Sequence, residues 1–214
     1  KVHYVPIGIE CAGECIIGGD RLRPTQDRAI RFAFVGRVSR AKGIDTLIEA
    51  MSIVVKSNPE TELYVVGDCE DETLSSQLKT FVSAEGLGER IHWLGWKTNV
   101  PEILAQMDVL VLPSQTEGTP RSIGEALSLG KVVIATSVGG VPEQLGYGSN
   151  GILVEQDNTN VLAQEMLRIE GDSSLRERLG KSAWIAAKNM HAVQVHTRGL
   201  ESILRRYVGC TGRT

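Results

Sequence analysis

From position 31 onward, short apolar runs alternate with segments whose apolar residues recur every three or four positions. The runs are RFAFVG (31–36), ELYVVG (62–67), RIHWLG (90–95), DVLVLP (108–113), KVVIAT (131–136) and GILVEQ (151–156). Each is short and rich in Val, Ile or Leu, and the first four end on Gly or Pro, which predicts strands. After the first run, Ile44, Leu47, Ile48, Met51, Val54 and Val55 follow helical spacing and predict an amphipathic helix. Asn58-Pro59 marks its end. Further helices are predicted over 71–85, 100–107, 120–129, 159–170, 173–189 and 193–207.

Near-continuous apolar strands, each followed by a helix, need cover on both faces and so predict a parallel sheet. Right-handed crossovers then give a single α/β domain, a Rossmann-like doubly wound sheet. Ligands of such sheets sit beyond the carboxyl ends of the strands. The loops after Gly36, Gly67, Gly95, Pro113 and Thr136 are therefore the ones expected to carry function. Positions 1–30 are Gly-rich, polar and out of rhythm, and are assigned to a hinge or linker. Positions 31–207 form the domain, and 208–214 are expected to be a disordered tail. The opening KVHYVPIGIE, without an initiator Met, suggests a fragment cut from a longer protein at a domain boundary.

A length of 214 residues suits one large domain, and 42% hydrophobic residues suffice for its core. The formal charge of −3 argues against a nucleic-acid surface, which needs an excess of Lys and Arg. No apolar run nears the roughly 20 residues that span a bilayer, and no signal peptide opens the chain. The expected location is cytoplasmic, with any membrane contact made through parts outside this chain. Cys11, Cys15, Cys69 and Cys210 lack a zinc-ligand pattern and read as free thiols.

Several phosphate and acyl chemistries are missing. The loop that directly follows the first strand has no G-x-G-x-x-G, and the chain has no G-x-x-x-x-G-K-[ST] and no G-x-S-x-G. His3, His92, His191 and His196 are scattered, with no metal-ligand spacing.

One helix start stands apart. Ahead of 120–129, Thr119 is a good N-cap, and Pro120 suits the first helical position, where its missing N–H costs nothing. The amides of Arg121, Ser122 and Ile123 are then unpaired donors at the positive end of a helix dipole. That is an anion site, and it lies beyond the carboxyl end of DVLVLP. Glu117 in the preceding loop and Glu125 inside the helix bracket it, and Glu125 shares a face with Arg121. A carboxylate does not bind phosphate but accepts two hydrogen bonds from a vicinal diol. The pattern thus describes a sugar–diphosphate–ribose ligand. The ordinary alternative is a solvated Glu117 and a Glu125 that pairs only with Arg121. The loop GRVSRAKG (36–43) adds Arg37, Arg40 and Lys42. Arg37 offers a bidentate fork and Lys42 a point charge, both suited to diphosphate, although a solvated basic loop is the plainer reading.

GRVSRAKG, Leu94-Gly95, DVLVLPS, EGTPRSIGEALSLG followed by KVVIAT, and GGVPE come in this order. The series resembles the carboxy-terminal, donor-binding domain of retaining GT-B glycosyltransferases of family 4, whose E-x7-E signature falls on Glu117 and Glu125. The resemblance runs from about Val2 to Tyr207. It implies one half of a GT-B fold and transfer of a sugar from a nucleotide-diphosphate sugar to an acceptor hydroxyl. It also implies a missing amino-terminal domain that carries the acceptor site, and an isolated chain that is inactive. Arg37 and Lys42 correspond to cations on the donor diphosphate, and Glu117 to the carboxylate near the transferred sugar. Gly36, Leu94, Gly118, Thr119, Pro120, Arg121 and Ser122 correspond to the rest of the donor site, and Glu125 to the carboxylate on the ribose. The base is implied near 93–95, mostly against backbone, and no metal or other cofactor is implied. Thr119 stands where many relatives carry an aromatic, and Cys69 in VVGDCED stands where glycine is commoner. A separately encoded nucleotide-sugar-binding subunit that needs a partner chain, or a GT-B epimerase, would share these features. The donor's sugar and base and the acceptor are left open.

Overall fold

A computed structural model describes residues 29–191, with positions 197 and 201. Six strands make one parallel sheet: β1 (Arg31–Val35), β2 (Glu62–Val66), β3 (Ile91–Gly95), β4 (Val109–Leu112), β5 (Val132–Thr136) and β6 (Ile152–Val154). Their spatial order is β3-β2-β1-β4-β5-β6. The helices between and after them are α1 (Ile44–Ser57), α2 (Glu72–Ala84), α3 (Val100–Ala105), α4 (Arg121–Ser128), α5 (Val141–Gln144), α6 (Thr159–Gly171) and α7 (Ser173–Ala186). The doubly wound α/β sheet expected from the periodicity is the observed fold. Every expected strand forms within about two residues of its run. α5 and the 3-10 turns Arg40–Lys42 and Gly146–Gly148 were not anticipated, being too short to show a period. α7 passes into a π-helical turn, Ala187–His191. The expected helix over 193–207, the tail 208–214 and all but the last two residues of the hinge segment lie outside the described residues, positions 197 and 201 apart.

The central strands are buried because they are apolar on both sides. Every residue of β4 and β5 is buried. In register, Phe32, Leu63 and Val109 share one face, while Ala33, Tyr64, Leu110 and Val133 share the other. α1 packs against α6, and α4 packs against α7. Three helix starts carry side-chain caps: Asp71 accepts from Leu74 N, Asn158 from Val161 N and Asp172 from Leu175 N, at 3.0, 3.1 and 2.8 Å. Each such cap contributes about 1 kcal/mol.

The strand order reverses between β1 and β4. The chain runs outward through β2 and β3, then returns to the other side of β1. The loops leaving β1 and β4 therefore diverge to opposite faces and open a crevice at the carboxyl edge.

A buried polar contact joins the layers away from that crevice. Glu170, half-buried at the end of α6, accepts a hydrogen bond from the Thr61 hydroxyl before β2. Burial pushes its carboxyl above the usual range, against the hydrogen bonds from Thr61 and Asn58 and the charge of Arg176. A carboxyl raised in the folded state contributes stability that is full at low pH and is lost as pH rises through its folded value. Glu170→Gln keeps an acceptor for Thr61 without the charge. We expect it to melt higher than wild type at neutral pH, the difference closing on acidification. Melting curves across that range are the check, and an unchanged or lower neutral melting temperature contradicts the assignment.

Candidate functional site

The crevice between β1 and β4 brings together Lys42 and Glu117 of the charged residues singled out above. After β1, the chain makes a 3-10 turn, Arg40–Lys42, and leaves it through Gly43 at φ 67°. That turn is pressed against the loop after β4. Gln115 N donates to Ala41 O at 2.9 Å, and a Cβ on Gly43 would lie 1.9 Å from Pro113 O. Lys42 is thereby carried across to Glu117, its Nζ 2.6 Å from Oε1. The Ser114 hydroxyl donates to the same oxygen at 2.8 Å. The Glu117 side chain is only 6% exposed. A carboxylate that far from water needs such partners, since an unpaired buried charge is costly. With Oε1 doubly engaged, Oε2 is the oxygen left for a ligand.

Behind this pair stands the start of α4. Pro120, with φ −65° and ψ 126°, is the N-cap, so the helix begins at Arg121. This shifts the expected cap by one residue from Thr119, because the extended ψ of Pro120 keeps it out of the helix. The consequence for the amides is unchanged. Among the described residues, no side-chain cap serves this end, and Arg121, Ser122 and Ile123 supply its first N–H groups. Gly118 is exposed and Thr119 half-buried in the approach. Glu125 lies on α4 with Arg121 Nε 2.8 Å from its Oε1, the i, i+4 contact anticipated from the sequence.

Two basic residues of the first loop part company. Arg37 is exposed and has no ion-pair partner among the described residues, so its guanidinium is available. Arg40 turns away to Asp45 at 3.0 Å and Gln77 at 2.6 Å, which anchors the turn to α1 and α2. Gly36 closes β1, its N–H donating to Val66 O at 3.0 Å. Leu94 is not beside Glu117. It lines a cavity of about 360 Å³ between β2, β3 and α3, with Tyr64, Ile103 and Met107. On the floor of that region Tyr64 stacks on His92 at 4.5 Å and donates to Glu62 at 3.0 Å. Burial and this hydrogen bond to Glu62 push the Tyr64 hydroxyl up. Burial opposes ionisation of Glu62, but the hydrogen bond from Tyr64 and the nearby His92 and Arg31, each 3.4 Å away, outweigh it and hold the carboxyl low.

Residues 23–184 match the sequence profile described as Glycosyl transferases group 1. The chain belongs to that family. An uncharacterized glycosyltransferase of Methanocaldococcus jannaschii is 32% identical over 151 residues, which is 70% of this chain and 40% of the relative. A UDP-Gal:alpha-D-GlcNAc-diphosphoundecaprenol alpha-1,3-galactosyltransferase of Escherichia coli is 28% identical over 82% of this chain and 46% of its own length. The chain thus spans less than half the length of these curated relatives. The crystal structure of Anabaena HepE in complex with UDP superposes with a TM-score of 0.79 at 24% identity, over 84% of this chain and 49% of that one. The C-terminal domain of a glycosyl transferase group 1 family protein from Francisella tularensis gives 0.74 at 25% identity, over 82% of this chain and 95% of that domain. The fold is therefore the Rossmann-like half of a GT-B fold.

Within this glycosyltransferase domain, two supports of Glu117 and α4 were not picked out from the sequence. Ser114 is buried at the end of β4 and orients the Glu117 carboxylate, although only its place in DVLVLPS was noted. The GGVPE segment packs on the far side of the loop after β4. Gly140 N donates to Gly118 O at 2.7 Å, and the fully buried Gln144 donates to Pro120 O at 3.1 Å. A spacing pattern marks none of these: Ser114 reaches Glu117 through the local turn after β4, and the contacts of Gly140 and Gln144 are distant in sequence. Cys69, in the loop after β2, donates its thiol to Asp71 O at 3.2 Å.

Proposed function

We propose that this chain is the donor-binding half of a retaining, E-x7-E type glycosyltransferase that moves a sugar from a nucleoside diphosphate to an acceptor hydroxyl. The observation that carries the reading is Lys42 Nζ at 2.6 Å from Glu117 Oε1, beside the first amides of α4, which no described side chain caps, and at the reversal of strand order. Arg37, Lys42 and the α4 amides hold the diphosphate. Glu125 takes the ribose hydroxyls, and Glu117 lies against the transferred sugar. Gly36, Gly118, Thr119, Pro120 and Ser122 bring backbone and small side chains close to the ligand.

As the sugar–oxygen bond breaks, negative charge grows on the leaving diphosphate. Arg37, Lys42 and the helix dipole are fixed where that charge develops, so they stabilise the transition state more than the ground state. The developing oxocarbenium centre faces the carboxylate side of the site, and the acceptor hydroxyl attacks from the face the diphosphate leaves. Cationic side chains and dipole supply the stabilisation that a metal ion gives elsewhere, and no metal is required in this reading. The acceptor is bound by a further domain, as the span of the chain relative to its relatives supports.

The UDP named for HepE and the UDP-Gal named for the E. coli enzyme make UDP-sugars the first donors to test. Calorimetric titration of the chain with UDP-, GDP- and ADP-sugars, with and without a chelator, is the experiment. Binding of at least one donor, unchanged by the chelator, is expected. No binding of any at millimolar concentration overturns the reading.

A further inference from the structure

Glu117 and Glu125 are held in the same manner. Each carboxylate is nearly closed off from solvent, with 6% and 12% of its side chain exposed. Each has Oε1 on a cation, Lys42 Nζ at 2.6 Å and Arg121 Nε at 2.8 Å. In both, Oε2 has no partner among the described residues and is not one of the polar atoms sealed from solvent. The cations differ. Lys42 comes from the loop after β1 and is half-buried, whereas Arg121 lies on α4 one turn ahead of Glu125 and is 77% exposed. An i, i+4 pair with one member in water adds little to fold stability.

Arg121 makes this contact through Nε, so its terminal N–H groups have no partner among the described residues. Its backbone N–H is also the first donor at the start of α4. One residue thus spans from the anion site to the second carboxylate, about 6 Å along the helix axis. A diphosphate on those amides brings negative charge within about one turn of Glu125, and like charges at that distance repel. A carboxylate on three rotatable bonds, left alone, would swing away. The guanidinium offsets the repulsion and ties down Oε1, which leaves Oε2 to accept from the ligand. We propose that Arg121 is a positioning residue, which fixes the Glu125 carboxylate and so sets the preference of the donor site for a ribose that carries its hydroxyls. This role presupposes the donor reading above, in which Glu125 takes those hydroxyls.

The test titrates wild type, Arg121→Ala and Arg121→Met with UDP, GDP and ADP, and with the 2′,3′-dideoxy form of whichever of the three wild type binds most tightly. Met keeps an unbranched apolar stem and loses the charged end. Hydrogen bonds to an ionised carboxylate should give wild type a preference of about tenfold or more for the hydroxylated ligand. In both variants the preference should fall to about threefold or less, with melting temperatures unchanged. The preference is a ratio within one protein, so a general weakening of diphosphate binding leaves it untouched. A variant that keeps the wild-type preference overturns the role of Arg121 and leaves the donor reading standing. A large fall in melting temperature in both variants also overturns it, because the pair then holds the helix and not the carboxylate. Wild type that binds a nucleoside diphosphate without preferring the hydroxyls overturns it together with the ribose assignment of Glu125, but not the diphosphate site. Wild type that binds none of the three overturns the donor reading as well.

Discussion

Replacing Lys42 by Ala in the complete enzyme is expected to lower turnover by about a hundred- to a thousandfold. Removing one preorganised group that stabilises developing charge costs about 3–4 kcal/mol of transition-state stabilisation. Lys42 is held for this role by the Gly43 turn and by Glu117, so its ammonium needs little reorganisation when the diphosphate leaves. The same change has a second effect. Glu117, 6% exposed, would keep only the Ser114 hydroxyl as a partner, and an uncompensated buried carboxylate destabilises the fold. The double variant Lys42→Ala, Glu117→Gln separates the two effects. It should recover melting temperature without recovering rate. Arg37→Ala is the contrasting case, because Arg37 is exposed and unpaired among the described residues. We expect it to lose rate on a similar scale with an unchanged melting temperature. Steady-state kinetics and melting curves check both, and wild-type turnover from either single variant would remove the cations from the mechanism.

Gly139→Ala should be the most damaging substitution outside the charged residues. Gly139 has φ 53°, and an added Cβ would meet Glu117 O at 1.7 Å, a backbone atom that cannot swing aside. The left-handed conformation costs an Ala about 1–2 kcal/mol, and forcing the loops apart costs about 1–3 more. For a domain of this size that corresponds to a fall in melting temperature of roughly 4–20 °C. The displaced segment carries Glu117 and Gly118, so donor affinity should fall with it. A variant that melts and binds UDP-sugar like wild type would show that the loop after β5 does not set the position of Glu117.

What could be read directly was whatever repeats locally. RFAFVG or KVVIAT must be buried on two sides, because alternate residues cannot face water when all are apolar. The helix over 44–57 announces itself through the spacing of Ile44, Leu47, Ile48 and Met51. The anion-ready start of α4 was legible as well, since proline and the free amides behind it are consequences of a few neighbouring residues. Misjudging its cap by one residue followed from Pro120 taking an extended ψ, which neighbouring sequence does not fix.

The tertiary structure alone decided which loops meet. Strand order is set by how the layers pack, and placing β4 beside β1 brought Lys42 to Glu117 while turning Arg40 away toward Gln77. Gly139 and Gln144 gained their parts in the site the same way, through single contacts between segments far apart in sequence, whereas Ser114 reaches Glu117 within one turn. Gly36, Gly67 and Gly95 meet only because three strands remote in sequence end side by side. The sequence by itself determined the layers, the family resemblance and the candidate charges, because those follow from local periodicity and motif. Which charge faces which rests on distances between segments far apart in the chain.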